Sequence, residues 1–128
     1  MHKLQEIHKK AMDLAEQADL VKLRGNATQV QGFLRQALAL ESEAAQMIAD
    51  DLMDEPTRSV LHRSAASLAI ECGELQAAEK LIARALSGTP PVEIEEELKD
   101  LFLQINVRNY LHRQGVELTE SQLQRLAS

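Results

Sequence analysis

The four histidines are the residues of this chain best suited to metal binding or proton transfer, and their sequence context favours neither. In helical carboxylate proteins, metal-binding histidines follow a glutamate by three positions. The chain places uncharged residues there instead: Gln5 before His8, Ser59 before His62 and Asn109 before His112. We therefore expect a protein that is not an enzyme and needs no cofactor or metal. An enzyme or metal site built on His8, His62 or the acidic residues 50–55 is the competing hypothesis.

Cys72 is the only cysteine, so it can form no disulfide within the chain and can bind zinc only if chains share ligands. It directly precedes Gly73, at an expected turn, and no residue that would activate a thiol is evident beside it. We interpret Cys72 as a small, buried apolar side chain.

Acidic residues cluster at two places in a chain whose net charge is -6. The run over residues 50–55 lacks the alternating oxygen ligands and the turn glycine of a calcium loop. The run over residues 93–97 follows two prolines, and negative charge suits the start of a helix. We interpret both runs as solvated helix ends. Because nucleic-acid affinity comes largely from clustered basic residues, we expect no nucleic-acid partner.

Apolar spacing predicts an all-α chain that folds as a single domain over residues 1–128. Isolated glycines and prolines separate five long helices from one another and from a short C-terminal helix. The predicted helices are helix 1 from about His2 to Arg24, helix 2 from there to about Met53, helix 3 from near Pro56 to Cys72, helix 4 from Glu74 to about Gly88, helix 5 from Pro91 to Gly115, and helix 6 from Thr119 to Leu126. The longest apolar stretch, residues 65–70, is far shorter than the roughly 20 residues that span a bilayer, so no membrane segment is expected.

The two central hairpins repeat each other. Gly25 and Gly73 lie 48 positions apart, and each follows an apolar helix and precedes another. The same shift pairs small and apolar residues: Ala18 with Ala66, Leu20 with Leu68, Leu34 with Ile82, Ala37 with Ala85 and Leu38 with Leu86. Each unit therefore consists of a helix, a tight glycine turn and a second helix with alanine at fixed places.

This spacing resembles the tetratricopeptide repeat. The resemblance is closest over residues 59–92, where the family's small, turn, apolar and closing positions are matched by Ala66, Gly73, Leu75, Ala78, Ile82, Ala85 and Pro90. The first unit, residues 11–44, has Ser42 in place of the closing proline. The offset of 48 exceeds the family's roughly 34 residues, so about 14 additional residues, 45–58, are expected to extend the first hairpin. The segment 55–65 is also similar to small bacterial proteins of this type, and the similarity implies no activity.

The resemblance implies stacked antiparallel helical hairpins in a right-handed array, with helices over residues 91–127 as the capping unit. It also implies a concave surface lined by the first helix of each unit. The positions expected there are Met12, Ala15, Asp19 and Lys22 in the first unit and Arg63, Ser67, Ile70 and Glu71 in the second. We expect Arg63 and Lys22, with Asp19, Ser67 and Ile70 beside them, to bind a partner peptide. Because a guanidinium fits a carboxylate, an acidic or C-terminal segment is the expected ligand.

A structural role is the alternative for the arginines of helix 3. In that interpretation, Arg58 or Arg63 pairs with Asp54, Glu55 or a neighbouring acid. The pair then stabilises the bend between helices 2 and 3.

Two hypotheses of function follow. In the first, the chain is a protein-interaction module or adaptor that binds a peptide or helix of another protein. In the second, helix 2 and the apolar stripe of helix 1 form a homodimer without a separate ligand groove. The charged N-terminal segment and the single cysteine are typical of a cytoplasmic protein, which we expect in either case.

Overall fold

The computed structural model describes residues 2–115, Thr119 and Arg125. These residues form α-helices and no strand, with helices α1 (His2–Lys22), α2 (Ala27–Met47), α3 (Thr57–Glu71), α4 (Leu75–Leu86) and α5 (Val92–Arg113). The predicted all-α array of packed helices is confirmed. The predicted helix 6, apart from Thr119 and Arg125, lies outside the described residues. No helix in the described part of the chain is long and apolar enough to cross a membrane.

Glycine turns join the helices of each hairpin, as the repeat predicted. Gly25 has φ of 76° and Gly73 has φ of 77°, in the left-handed region that side chains disfavour. No neighbouring atom lies within 4 Å of a Cβ built on either glycine, so these positions need glycine for its backbone freedom rather than for space. After the first turn, the Asn26 side chain accepts a hydrogen bond from the backbone N–H of Gln29 and caps α2.

Small residues let the hairpins pack closely. The repeat alanines are almost completely buried: Ala18, Ala37, Ala66, Ala78 and Ala85. Helix α2 packs on α3, α4 packs on α5, and α3 also contacts α5. The outer side of the second hairpin is therefore covered by α5.

The prediction for the end of α2 is wrong, because this helix ends at Met47 rather than at about Met53. Turns occupy the residues that follow, up to α3. The acids at 50–51 are unfavourable at the negative end of a helix. The main-chain oxygen of Ala49 accepts a hydrogen bond of 2.8 Å from Arg58, so the chain after α2 is tied to α3 instead of continuing the helix.

Candidate functional site

The candidate site is the furrow between the parallel helices α1 and α3, which we call the groove. Each residue of α1 that meets a residue of α3 across the groove precedes it by 52 positions in the sequence. His8 and Val60 line the same pocket, and the Ser64 hydroxyl lies 4.0 Å from the sulfur of Met12. The same offset matches Asp19 with Glu71, and the charge of Asp19 acts on the Glu71 carboxyl. The groove therefore runs the length of both helices.

Four of the five predicted partner-binding residues lie on the C-terminal halves of α1 and α3. Asp19 and Lys22 are exposed on α1, whereas Ser67 and Ile70 are half-buried on α3. Ile70 also packs against the main apolar core. The predicted surface thus combines the half-buried, apolar side chain of Ile70 with the exposed, charged side chains of Asp19 and Lys22.

The charges at this end of the groove are mainly negative. Partial burial raises the pKa of the Glu71 carboxyl above its ordinary value, and the negative charge of Asp19 raises it further. The ammonium group of Lys22 lowers it in part. Two carboxyl groups and one ammonium group therefore lie near enough to influence one another at this end of the groove.

Arg63, the fifth predicted residue, forms an ion pair within the chain. Its Nη1 lies 3.0 Å from Oε2 of Glu97 on α5, and the Glu97 side chain is half exposed. Arg63 thus pairs with an acid of α5, and not with Asp54, Glu55 or another acid at the bend between α2 and α3, as the structural alternative expected. An exposed pair of this kind contributes only about 0–1 kcal/mol, but it balances the charge that was expected to bind an acidic ligand.

Arg58 has a structural role of a different kind from the expected ion pair. Its side chain is 1% exposed. Its hydrogen bonds go to main-chain oxygens near helix ends: Nε to Ala49 (2.8 Å), Nη2 to Arg84 (2.8 Å) and Nη1 to Ala85 (3.4 Å). The carboxylate of Glu55 instead accepts hydrogen bonds from the backbone N–H and the hydroxyl of Ser59. Arg58 therefore stabilises the α2–α3 bend through carbonyl groups.

His62 extends this arrangement. Its ring is completely buried, with Nδ1 2.7 Å from the main-chain oxygen of Arg58 and Nε2 2.8 Å from Nε of Arg84. Because the guanidinium must donate, Nε2 accepts and the ring proton lies on Nδ1. Burial lowers the pKa of His62, and the positive charges of Arg84 and Arg58 lower it further, while the hydrogen bond to Arg58 opposes them. We call Arg58, His62 and Arg84 the closed cluster.

A second histidine, His8, lies at the N-terminal end of the groove. Its Nδ1 is 2.9 and 2.8 Å from the two carboxylate oxygens of Glu41 on α2. Glu41 is 0% exposed and His8 is 35% exposed. The other ring nitrogen of His8 has no hydrogen-bond partner among the described residues.

His8 borders a mainly apolar pocket of about 230 Å³. The pocket, which we call the His8 pocket, is lined by Leu4, Gln5 and His8 of α1 and by Pro56, Thr57, Val60 and Leu61 at the start of α3. The pair and its pocket were missed from the sequence. Glu41 nevertheless lies on the buried stripe of α2, between Ala37 and Ala44, and a carboxylate at such a position must find a partner.

Cys72 is buried, as predicted, and burial raises the pKa of its thiol. Within the described residues, no group of three or more His, Cys, Asp and Glu side chains is placed to hold a metal ion.

Comparison with known proteins finds no matching family model, no matching curated protein and no matching solved structure.

Proposed function

We propose that this chain is a non-enzymatic, tetratricopeptide-like interaction module of the cytoplasm, which binds a segment of a partner protein in the groove. The observation that carries this proposal is the open lining of the groove along both helices. The side chains along it are exposed or half-buried: Gln5, His8, Met12, Ala15, Asp19 and Lys22 on α1, and Thr57, Val60, Ser64, Ser67, Ile70 and Glu71 on α3.

The charges of the groove support a basic partner segment rather than the acidic one expected from the sequence. Arg63 pairs with Glu97, and Lys22 lies near two carboxyl groups. A lysine or arginine of the partner, placed between Asp19 and Glu71, would offset their repulsion and stabilise the ionised form of Glu71.

The opposite end of the groove accepts an apolar group. Asp19 follows His8 by 11 residues in one helix, which corresponds to about 16 Å along the axis. A partner helix would span this distance with an apolar and a basic residue about three turns apart. An extended segment would span it with the same two residues about five positions apart.

Peptide selection followed by calorimetry tests this function. Peptides selected from a randomised library on the wild-type chain are synthesised and titrated into wild-type, Glu71→Lys and Glu43→Lys proteins. Glu43 is exposed on α2, so its variant has the same change of charge away from the groove. We expect the selected peptides to combine basic and aliphatic residues, and Glu71→Lys to weaken binding roughly tenfold.

The control decides between a specific site and general electrostatics. Glu43→Lys should leave the affinity within about twofold of wild type, since salt screens distant surface charges. Equal weakening by both variants would contradict a binding site at Asp19 and Glu71. Selection of acidic peptides would contradict the basic partner.

One observation favours self-association as a second candidate. Phe102, Leu103 and Tyr110 of α5 are large apolar side chains that are 42%, 46% and 52% exposed. The α1 stripe expected to form a homodimer is instead buried within the chain, at residues including Ile7, Ala11 and Ala18. A second copy that covers these three side chains would pack on α5. Sedimentation velocity of wild type and Leu103→Glu over a range of concentrations tests this, since only a dimer through α5 would be lost in the variant.

A further inference from the structure

The His8–Glu41 pair uses only one of the two ring nitrogens of His8. Both carboxylate oxygens of Glu41 lie within 2.9 Å of a single nitrogen of His8, and Glu41 has no other hydrogen-bond partner among the described residues. A charge that is fully removed from water is costly unless an opposite charge or a proton compensates it. Glu41 is 0% exposed, and His8 is its only polar partner among the described residues.

In a pair with no net charge, a proton lies on the ring nitrogen that Glu41 does not contact. If the ring is an imidazolium beside a carboxylate, both ring nitrogens carry protons. If Glu41 is protonated and donates to Nδ1, the single ring proton lies on Nε2. In either state, Nε2–H of His8 is a donor without an acceptor among the described residues.

The pocket that His8 borders has mainly apolar walls. Leu4, Val60, Leu61 and the ring of Pro56 form the walls of the His8 pocket. Its volume of about 230 Å³ is below the roughly 300–1,000 Å³ of pockets that enclose whole small molecules. A site of this size is suited to one aliphatic side chain, with a single polar contact to orient it.

We propose that the His8 pocket binds an aliphatic, leucine-sized residue of the partner segment, and that His8 Nε2–H donates a hydrogen bond to the main-chain carbonyl of that residue. A carbonyl is favoured over a carboxylate because a neutral pair offers no net positive charge and the chain as a whole is acidic. The proposal rests on the proposed function, since the pocket is one end of the groove, but the two can be tested separately.

Three probes with the same branched aliphatic body and different head groups test the pocket alone. Methyl isobutyl ketone offers an acceptor, isovalerate offers an anionic acceptor, and isopentylammonium offers only donors. Each is titrated into the wild-type protein while the methyl NMR signals of Val60 and Leu61 and the ring signals of His8 are followed. We expect millimolar binding of the ketone at these signals, roughly three- to tenfold tighter than that of isopentylammonium and at least as tight as that of isovalerate.

Each other outcome overturns a defined part of the proposal. Tightest binding of isopentylammonium would show that Nε2 accepts rather than donates. Tightest binding of isovalerate would show a charged site for a carboxylate. If no probe shifts the signals of Val60 and Leu61, the pocket does not bind aliphatic groups. Peptide binding that still depends on Glu71 would then leave the proposed function standing without this pocket.

Two variants separate the polar contact from the apolar one. The double variant His8→Phe with Glu41→Met removes both polar partners together, so that no buried carboxylate is left unpaired. It should retain binding of the ketone while the preference over isopentylammonium disappears. Val60→Trp should fill the pocket and abolish binding of all three probes. Circular dichroism of both variants confirms folding, and an unchanged preference in the double variant would contradict the role of His8.

Discussion

The closed cluster and the His8–Glu41 pair are both polar groups inserted into apolar helix faces, but the chain satisfies them to different extents. In the closed cluster, the hydrogen bonds of Arg58 and His62 all end on groups of the chain itself. In the His8–Glu41 pair, Nδ1 of His8 contacts Glu41, whereas Nε2 has no partner among the described residues and the ring borders a pocket.

The difference indicates how a polar side chain that only stabilises the fold can be told from one that could bind a ligand. The guanidinium of Arg58 lies near the C-terminal ends of α2 and α4, where the helix dipoles favour positive charge. A Cβ on Gly88 would lie 2.5 Å from Nη1 of Arg58, so the glycine leaves the space that the guanidinium fills. Arg58 and His62 are completely buried, Nε, Nη1 and Nη2 of Arg58 each donate to a main-chain oxygen, and both ring nitrogens of His62 have partners, so these two side chains hold the helices together. A donor that faces an open pocket can bind a ligand.

The largest effect is expected from Arg58→Met. Methionine keeps much of the volume but removes all three hydrogen bonds that Arg58 donates. The oxygen of Ala49 then has no donor among the described residues, whereas the oxygens of Arg84 and Ala85 keep the Ser87 hydroxyl and the Gly88 N–H. A hydrogen bond to a charged group contributes about 1.5–3 kcal/mol and an unsatisfied buried polar group costs about 1–3 kcal/mol, so we expect the free energy of unfolding to fall by about 3 kcal/mol. Urea denaturation followed by circular dichroism measures this change.

Arg24→Met is the matched control for that variant. Arg24 is exposed just after α1 and should tolerate the same substitution within about 0.5 kcal/mol. Equal effects of the two substitutions would contradict the structural role of the closed cluster.

A smaller effect is expected from protonation of His62. Its pKa is lowered in the folded protein, mainly by burial, below the ordinary value of 6.5 that it regains on unfolding. The unfolded chain therefore binds more protons in this range, and stability rises with pH. The stabilisation is present above about pH 6.5 and is lost as the pH falls through the lower, folded pKa. Thermal melts of wild-type protein between neutral and mildly acidic pH measure this loss.

His62→Gln isolates the contribution of this one ring. Glutamine can accept from Arg84 and donate to the oxygen of Arg58, but it does not titrate. The variant should therefore lose less stability than wild type as the pH falls through this range. The raised pKa of Glu71 changes stability with the opposite sign, and it is common to both proteins. Parallel pH profiles would show that His62 does not titrate with unfolding.

Local features of this chain could be predicted from its sequence. The turns at Gly25 and Gly73 follow from the left-handed conformation that ends a helix, and the burial of Ala66 and Ala85 follows from helical periodicity. Such features depend on residues within a few positions of one another. For the same reason, the helices themselves were predicted well, except for the end of α2.

Contacts between distant residues could not be predicted in this way. The end of α2 involves the bond from Arg58 to Ala49, Arg63 meets Glu97 34 positions later, and His8 meets Glu41 33 positions later. Each partner depends on the register between packed helices, which periodicity does not give. The sequence does show that Glu41 interrupts an apolar stripe, so the need for a partner was visible even though its identity was not.

The smallest effect, and the sharpest test of the comparison, is expected from Glu41→Met. This substitution removes the buried carboxylate, and methionine can pack against the apolar residues around it. His8 is 35% exposed, so its ring can hydrogen-bond to water and remain neutral instead of becoming a buried, unpaired charge. Replacing a buried ionic group by an apolar one of similar size is often neutral or stabilising. We therefore expect the free energy of unfolding to change by less than about 1 kcal/mol in urea denaturation, with Glu43→Met as the exposed control. A loss as large as that of Arg58→Met would mean that the His8–Glu41 pair is as important for stability as the closed cluster. The unpartnered ring nitrogen of His8 would then be a by-product of the fold and no evidence for a ligand.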